Sequence, residues 1–228
     1  MKSLIFFSIL LTVSAVQAGF DESRTHIEQL LQQGKKVAIL VIDMQLAYEG
    51  RGSLHNLSSV LGEQVKLLNY FVKNDQVIYV DVNIEEYGTS LNALIQSIYM
   101  KKGTRLMLKA HQDAFEGVNL ARGQKLDQAF KGKLEDFLKS QDVTDVVPLG
   151  CFDSSCVLDT AKGAIESGFD VSVDRDMNIK YNAITDIGAD NQPTEEAIED
   201  VELEWQSALT KYPKLKVVSK ASEPCEKQ

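Results

Sequence analysis

A chain of 228 residues with 33 acidic and 24 basic side chains has a formal charge of −9 at neutral pH, which disfavours nucleic acid and anionic membrane surfaces as partners. Its length and 44% apolar content suit one globular domain with its own core. Three cysteines, an odd number, do not make a disulfide scaffold, and a chain this long needs none.

The first twenty residues, "MKSLIFFSILLTVSAVQAGF", place Lys2 before an apolar run from Leu4 to Val13 and small residues after it. That order is the charged, apolar and cleavage regions of a secretory signal. The reading is a signal over residues 1–18, cut after Ala18, and one domain over 19–228 that is periplasmic or secreted and free of the membrane. Losing Lys2 leaves 23 basic against 33 acidic residues, a charge of −10. A helix is expected next over "THIEQLLQQGKK" (25–36), followed by a β-branched run, "VAILVID" (37–43). The segment "LSSVLGEQVKLLNYFVKN" has helical spacing, with Val60, Val65, Leu68 and Val72 on one side and Leu61 and Leu67 flanking. Strand-like runs follow at "QVIYVDV" (76–82) and "RLMLK" (105–109). A polar loop from Ala110 to Gln124 is long enough to cover part of a site. The helical pattern returns with Leu126, Phe130, Leu134, Phe137 and Leu138. The run "DVVPLG" (145–150) leads through a short loop to a helix over "SSCVLDTAKGAIESG", then to "FDVSVD" (169–174). Pro193 and Thr194 ahead of two glutamates open the last helix, and "LKVVS" (215–219) closes the series.

Continuous apolar strands alternating with helices predict an α/β fold: three layers, α/β/α, around a roughly six-stranded, mostly parallel, Rossmann-like sheet. Ligands in such folds bind beyond the carboxyl ends of the strands, where strand order reverses. Three run ends carry reactive side chains: Asp43, Lys109 and, after a short loop, Cys156. A thiol at a helix start, with a lysine nearby, is expected to favour its thiolate. An aspartate beside it could take a proton and return it to a leaving amine. The set suits acyl transfer through a thioester. A lone cysteine at a helix start is more often a small buried apolar group; the company of Asp43 and Lys109 favours the nucleophile.

Three motifs carry a family resemblance. "AILVIDMQLAY" resembles a first-strand motif of Asp-Met-Gln followed by an aromatic, "LKAHQDAF" a Lys-x-x-x-Ser-Ala-Phe motif, and "GCFDSSCVLDTAKGAIESGFDVSVDRD" a nucleophile segment. In that order, over about Val37 to Asp176, the chain resembles the isochorismatase-like cysteine hydrolases, which include nicotinamidases and N-carbamoylsarcosine amidases. The resemblance implies Cys156 as nucleophile, Asp43 as general base and acid, and Lys109 as the charge that holds both. It also implies a non-proline cis peptide between Cys151 and Phe152. That bond would aim the Phe152 N–H at an oxyanion beside the Cys156 N–H, and leave Cys151 a packed structural residue. Tyr48, Tyr87 and Phe152 are candidate pocket walls. The family's Ser is replaced by Asp113, and its Thr-Asp before the nucleophile by Asp153-Ser154. Nicotinamidases hold a metal through an Asp-x-His pair after the second strand. Here that region reads "VDVNIEEYGTS", and His26, His55 and His111 lie far apart. The expectation is therefore no metal, no cofactor and a substrate other than nicotinamide.

The remaining side chains have plainer readings: His111 a loop hydrogen-bonder, Asp174 and Asp176 turn or capping residues, and Cys225 a tail thiol. A small-molecule substrate is expected, and the family's frequent oligomers make a homo-oligomer an expectation too. The function read from these residues is cleavage of a C–N bond in a small amide. Two alternatives stand beside it: vinyl ether hydrolysis of the isochorismatase type, which Asp43 and Lys109 would serve without the thiol, and a non-catalytic exported interaction module.

Overall fold

The computed structural model describes residues 18–116 and 133–218. Residues 1–17 of the expected signal (1–18), the far part of the covering loop, Leu126, Phe130 and Cys225 lie outside the described residues. In chain order the elements are α1 (Ala18–Gln32), β1 (Val37–Ile42), α2 (Leu46–Gly50), α3 (Leu57–Phe71), β2 (Val77–Ile84), α4 (Asn92–Tyr99) and β3 (Arg105–Lys109). Then come α5 (Leu134–Ser140), β4 (Asp145–Gly150), α6 (Leu158–Glu166), β5 (Asp170–Val173), α7 (Glu195–Lys211) and β6 (Leu215–Val217). Short 3-10 turns occupy Glu85–Tyr87 and Arg175–Met177, and a wide π-type turn occupies Asp153–Val157.

All six strands join one sheet in the order β3-β2-β1-β4-β5-β6, and every neighbouring pair is parallel. The expected α/β/α architecture is what forms. β1 shows why: each of its six residues is buried, so both of its faces need cover. Ala38, Leu40 and Ile42 pack with residues of α5, α6 and α7, while Val37, Ile39 and Val41 pack with residues of α1, α3 and α4. Each such side chain gains roughly 1.5–3 kcal/mol by leaving water. Strand order reverses between β1 and β4, so the crevice predicted for ligands opens where Asp43 follows β1 and Cys151 follows β4.

These two strands touch closely at that end. Gly150 pairs with Ile42 and has φ +145°, and a Cβ there would stand 2.0 Å from the Ile42 carbonyl oxygen. No larger residue fits without prising β1 from β4 beside Asp43. The helices differ in detail from expectation. α1 starts earlier than the expected 25–36 helix. The inward face of α3 is Val60, Glu63, Gln64, Leu67, Leu68 and Phe71, with Val65 and Val72 half-buried at its flanks. α7 starts as expected, the Thr194 hydroxyl accepting from the Ala197 amide at 3.2 Å. Among the described residues no helix is long and apolar enough to cross a membrane.

Candidate active site

β1 delivers Asp43 with its backbone fixed on both sides. The Asp43 amide donates to the Val82 carbonyl at 2.8 Å, and its carbonyl accepts from the Gln45 amide at 2.8 Å and the Cys151 thiol at 3.0 Å. Its φ is +53°, a left-handed conformation that a non-glycine residue holds only when its surroundings impose it. Gln45 supplies much of that imposition. Its side-chain amide donates to the carbonyls of Ile84 (2.9 Å) and Gly88 (2.7 Å), and its oxygen accepts from the Ile84 amide at 3.0 Å. A glutamine can donate and accept at once, which gives the Asp-Met-Gln motif a physical reason.

Lys109 ends β3 and is as buried as Asp43; both side chains are 0% exposed. Its Nζ lies 2.8 Å from Asp43 Oδ2 and donates to the Gln112 carbonyl at 2.8 Å. The Cys156 thiol is close enough to both groups for each to act on its titration, Asp43 raising it and Lys109 lowering it. The three side chains therefore meet in one place from three strand ends. Yet neither oxygen of Asp43 has the angles of a formed hydrogen bond, the Lys109 contact included.

Burial governs the protonation states. It pushes the Asp43 carboxyl above its usual range, against the pull of Lys109. The Cys156 thiol is pushed up to about 11, by burial first and by Asp43 second, with Lys109 pulling the other way. A thiolate is the form expected to be favoured at this position; burial first and Asp43 second oppose it. Cys156 lies inside the π-type turn, ahead of α6, where Ser155 leaves helical geometry (φ −121°, ψ −107°).

The peptide between Cys151 and Phe152 is cis, as the resemblance implied. Cys151 is buried and its thiol is raised well above the usual range by burial, in keeping with a packed residue. Tyr48, Tyr87 and Phe152 come together edge to face, with ring centroids 5.1 Å apart for Tyr48–Tyr87 and 5.8 Å for Tyr48–Phe152. Burial, then the nearby Cys151, Asp43 and Cys156, raise the Tyr48 phenol. Arg51 stacks over Tyr87 at 5.0 Å.

The Lys109 loop docks on α6. The Ala114 amide donates to Thr160 Oγ1 at 3.2 Å, and the Phe115 amide to Asp113 Oδ1 at 2.8 Å. A Cβ on Gly163 would meet the Asp113 carboxylate at 2.2 Å, so the small residue makes room for the larger one. The plainer readings fare unevenly. Asp174 does cap, accepting from the Asp176 amide at 3.0 Å and from Ser23 at 2.7 Å. Asp176 pairs with Lys180 at 3.0 Å, His111 is exposed, and His26 meets Ser172 at 2.8 Å. A cleft of about 340 Å³ lined by His55, Asn56, Asp176, Lys180 and Tyr181 includes none of the three reactive groups.

Sequence reasoning missed the support behind Cys156. Asp153, fully buried, accepts from Arg175 Nε (2.9 Å), Trp205 Nε1 (2.8 Å) and Asn178 Nδ2 (2.9 Å). The substitution of Asp for the family's Thr was the available signal. Its partners, 22, 52 and 25 residues away, were not visible from it.

Among the described residues no three of His, Cys, Asp and Glu converge as an ion would require. On β2, Asp81 and Asn83 are both engaged with Ser90.

Residues 37–192 match the family model described as an isochorismatase domain. Among solved structures, the chain is similar to a nicotinamidase from Staphylococcus aureus (16% identity, 82% of this chain and 99% of that one, TM-score 0.53). It is also similar to a pyrazinamidase from Pyrococcus horikoshii in complex with zinc (16% identity, 81% and 99%, TM-score 0.55). A third likeness is to a MAR1 ribonuclease from Caenorhabditis elegans (15% identity, 76% and 74%, TM-score 0.52). No curated protein sequence matches the chain. At these identities the structural likeness speaks for the fold, and three different activities sit on it.

Proposed function

From the premise that this chain belongs to the isochorismatase family, we propose that it is a cysteine hydrolase that cleaves the C–N bond of a small amide. The observation that carries the reading is the buried contact of Lys109 with Asp43 at 2.8 Å, with both groups acting electrostatically on the Cys156 thiol. Asp43 takes the thiol proton as the sulfur attacks the carbonyl carbon. The tetrahedral oxyanion is met by the backbone amides of Phe152 and Cys156. The C–N bond then breaks as Asp43 returns the proton to nitrogen, leaving a thioester on Cys156 and a free amine or ammonia. Asp43 next deprotonates a water, which attacks the thioester, releases the acid and restores the thiol. Lys109 keeps Asp43 anionic enough to accept a proton in a site whose burial opposes charge. Tyr48, Tyr87 and Phe152 form an apolar wall that favours the uncharged part of the substrate. No step runs through a metal.

Export belongs to the same proposal and rests on the residue order of positions 1–18 alone. The test uses the whole mature chain against a panel of small amides and isochorismate. Turnover of an amide should give a mass adduct on Cys156, and Cys156→Ala should lower kcat at least about 1000-fold with the adduct gone. Full turnover in Cys156→Ala would remove the nucleophile and leave vinyl ether hydrolysis by Asp43 and Lys109 as the better reading.

A further inference from the structure

The turn that carries Cys156 is fastened at its first residue. Asp153 begins the turn, and its amide donates to the Ile179 carbonyl at 2.9 Å. Its side chain takes three donors in three directions. Arg175, from the segment after β5, and Trp205, from α7, both meet Oδ2, while Asn178 meets Oδ1. Asn178 turns its own oxygen to the Gly150 amide at 3.0 Å, so the same clamp holds the end of β4. Arg175 uses its remaining nitrogens on Glu202, at 2.9 and 2.8 Å, and lies 5.0 Å from the Trp205 ring. Lys180 adds a more distant positive charge facing Asp153.

A buried ion pair is a weak reason for stability, because desolvation offsets the attraction and apolar packing would serve as well. What a fully bonded polar cluster supplies is a single geometry. We propose that Asp153 and Arg175 are positioning residues: their pair, braced by Trp205, Asn178 and Glu202, fixes the turn so that the Cys156 sulfur lies against Asp43 and Lys109. This rests on the reading of Cys156 as nucleophile. Neither residue touches the reacting atoms; both act through the turn.

The experiment compares Arg175→Met with the double variant Asp153→Asn/Arg175→Met. The single variant leaves a buried carboxylate without its cation and should melt at a lower temperature. The double variant removes both charges but keeps an acceptor for only one of the Trp205 and Asn178 donors, so its melting temperature should rise above that of the single variant without reaching that of the wild type. In both, kcat should fall about 100-fold with KM within about twofold, as for a misplaced reacting group. The pH midpoint for alkylation of Cys156 by iodoacetamide should drop by about one pH unit or more toward the ordinary thiol range as the sulfur leaves its buried place, the larger effect, and Asp43, the second, which together outweigh the loss of the Lys109 pull. Unchanged kcat and midpoint in the single variant would overturn the proposal. So would their recovery together with melting temperature in the double variant, which would make the pair a stability element only. The alkylation profile needs no substrate. It therefore judges the positioning separately from Cys156→Ala turnover, which judges the nucleophile.

Discussion

Asp81 sits inside β2, nearly fully buried, with Ser90 Oγ donating to Oδ1 at 2.6 Å and Tyr99 Oη to Oδ2 at 3.1 Å. Burial outweighs those donors and pushes its carboxyl from the ordinary 3.8 up to about 6. The folded state thus holds this proton more tightly than the unfolded one. Its contribution is complete below pH 3.8 and is lost as pH rises through about 6, a change of up to about 3 kcal/mol. Asp81→Asn should remove that loss, so the stability of the variant relative to the wild type should rise between pH 4 and pH 7. Denaturant titrations at the two pH values check it, and parallel pH dependence in both proteins would refute the assignment. Nothing in "VIYVDV" announced this residue, because an aspartate in a strand run reads the same whether its partners are water or Ser90 and Tyr99. Asp43, Lys109 and Cys156 were legible for the opposite reason. Each ends an apolar run or follows one closely, and in a parallel sheet the ends of runs are where chemistry can be reached.

At the scale of elements, the β-branched runs were legible because a strand covered on both faces must be apolar throughout, and all six appear within a residue or two of their expected bounds. α4 was not. Its eight residues are too few to show a repeating face, and no side-chain cap marks its start. The turn at Cys156 read as a helix start because its composition is that of one; the departure at Ser155 comes two residues after Asp153, whose partners are far away in sequence. α3 illustrates a tertiary cap of the same hidden kind. Lys101, buried beyond the end of α4, donates to the carbonyls of Phe71 (3.3 Å), Val72 (3.2 Å) and Asn74 (2.7 Å), at and just past the end of α3, adding to the backbone amides that Phe71 and Asn74 already accept. Lys101→Met keeps the stem and removes the donors. It should cost about 1–3 kcal/mol, seen as a lower denaturant midpoint at an unchanged slope. An unaltered midpoint would mean that water caps α3 equally well.

Over the whole molecule, strand order brings residues 43, 109 and 156 to one crevice, and this convergence was the most legible feature of all. It follows from parallel pairing plus a reversal of order, and it asks little of individual side chains. The walls and braces of the site were less legible, since they depend on which loop and helix residues happen to lie behind it. One of those braces has an optical consequence. The chain holds a single tryptophan, and its indole N–H is bonded to the carboxylate that opens the Cys156 turn. All tryptophan emission from the native protein thus arises from a ring tethered to that turn. Labelling the thiol should shift or quench this emission, and mixing with a true substrate should give a transient that tracks the acyl intermediate in real time. An adduct proven by mass with a spectrum left unmoved would show that the tether carries no signal. If the signal is there, the fold comes with its own dye, and substrates can be sought by light alone before any product is known.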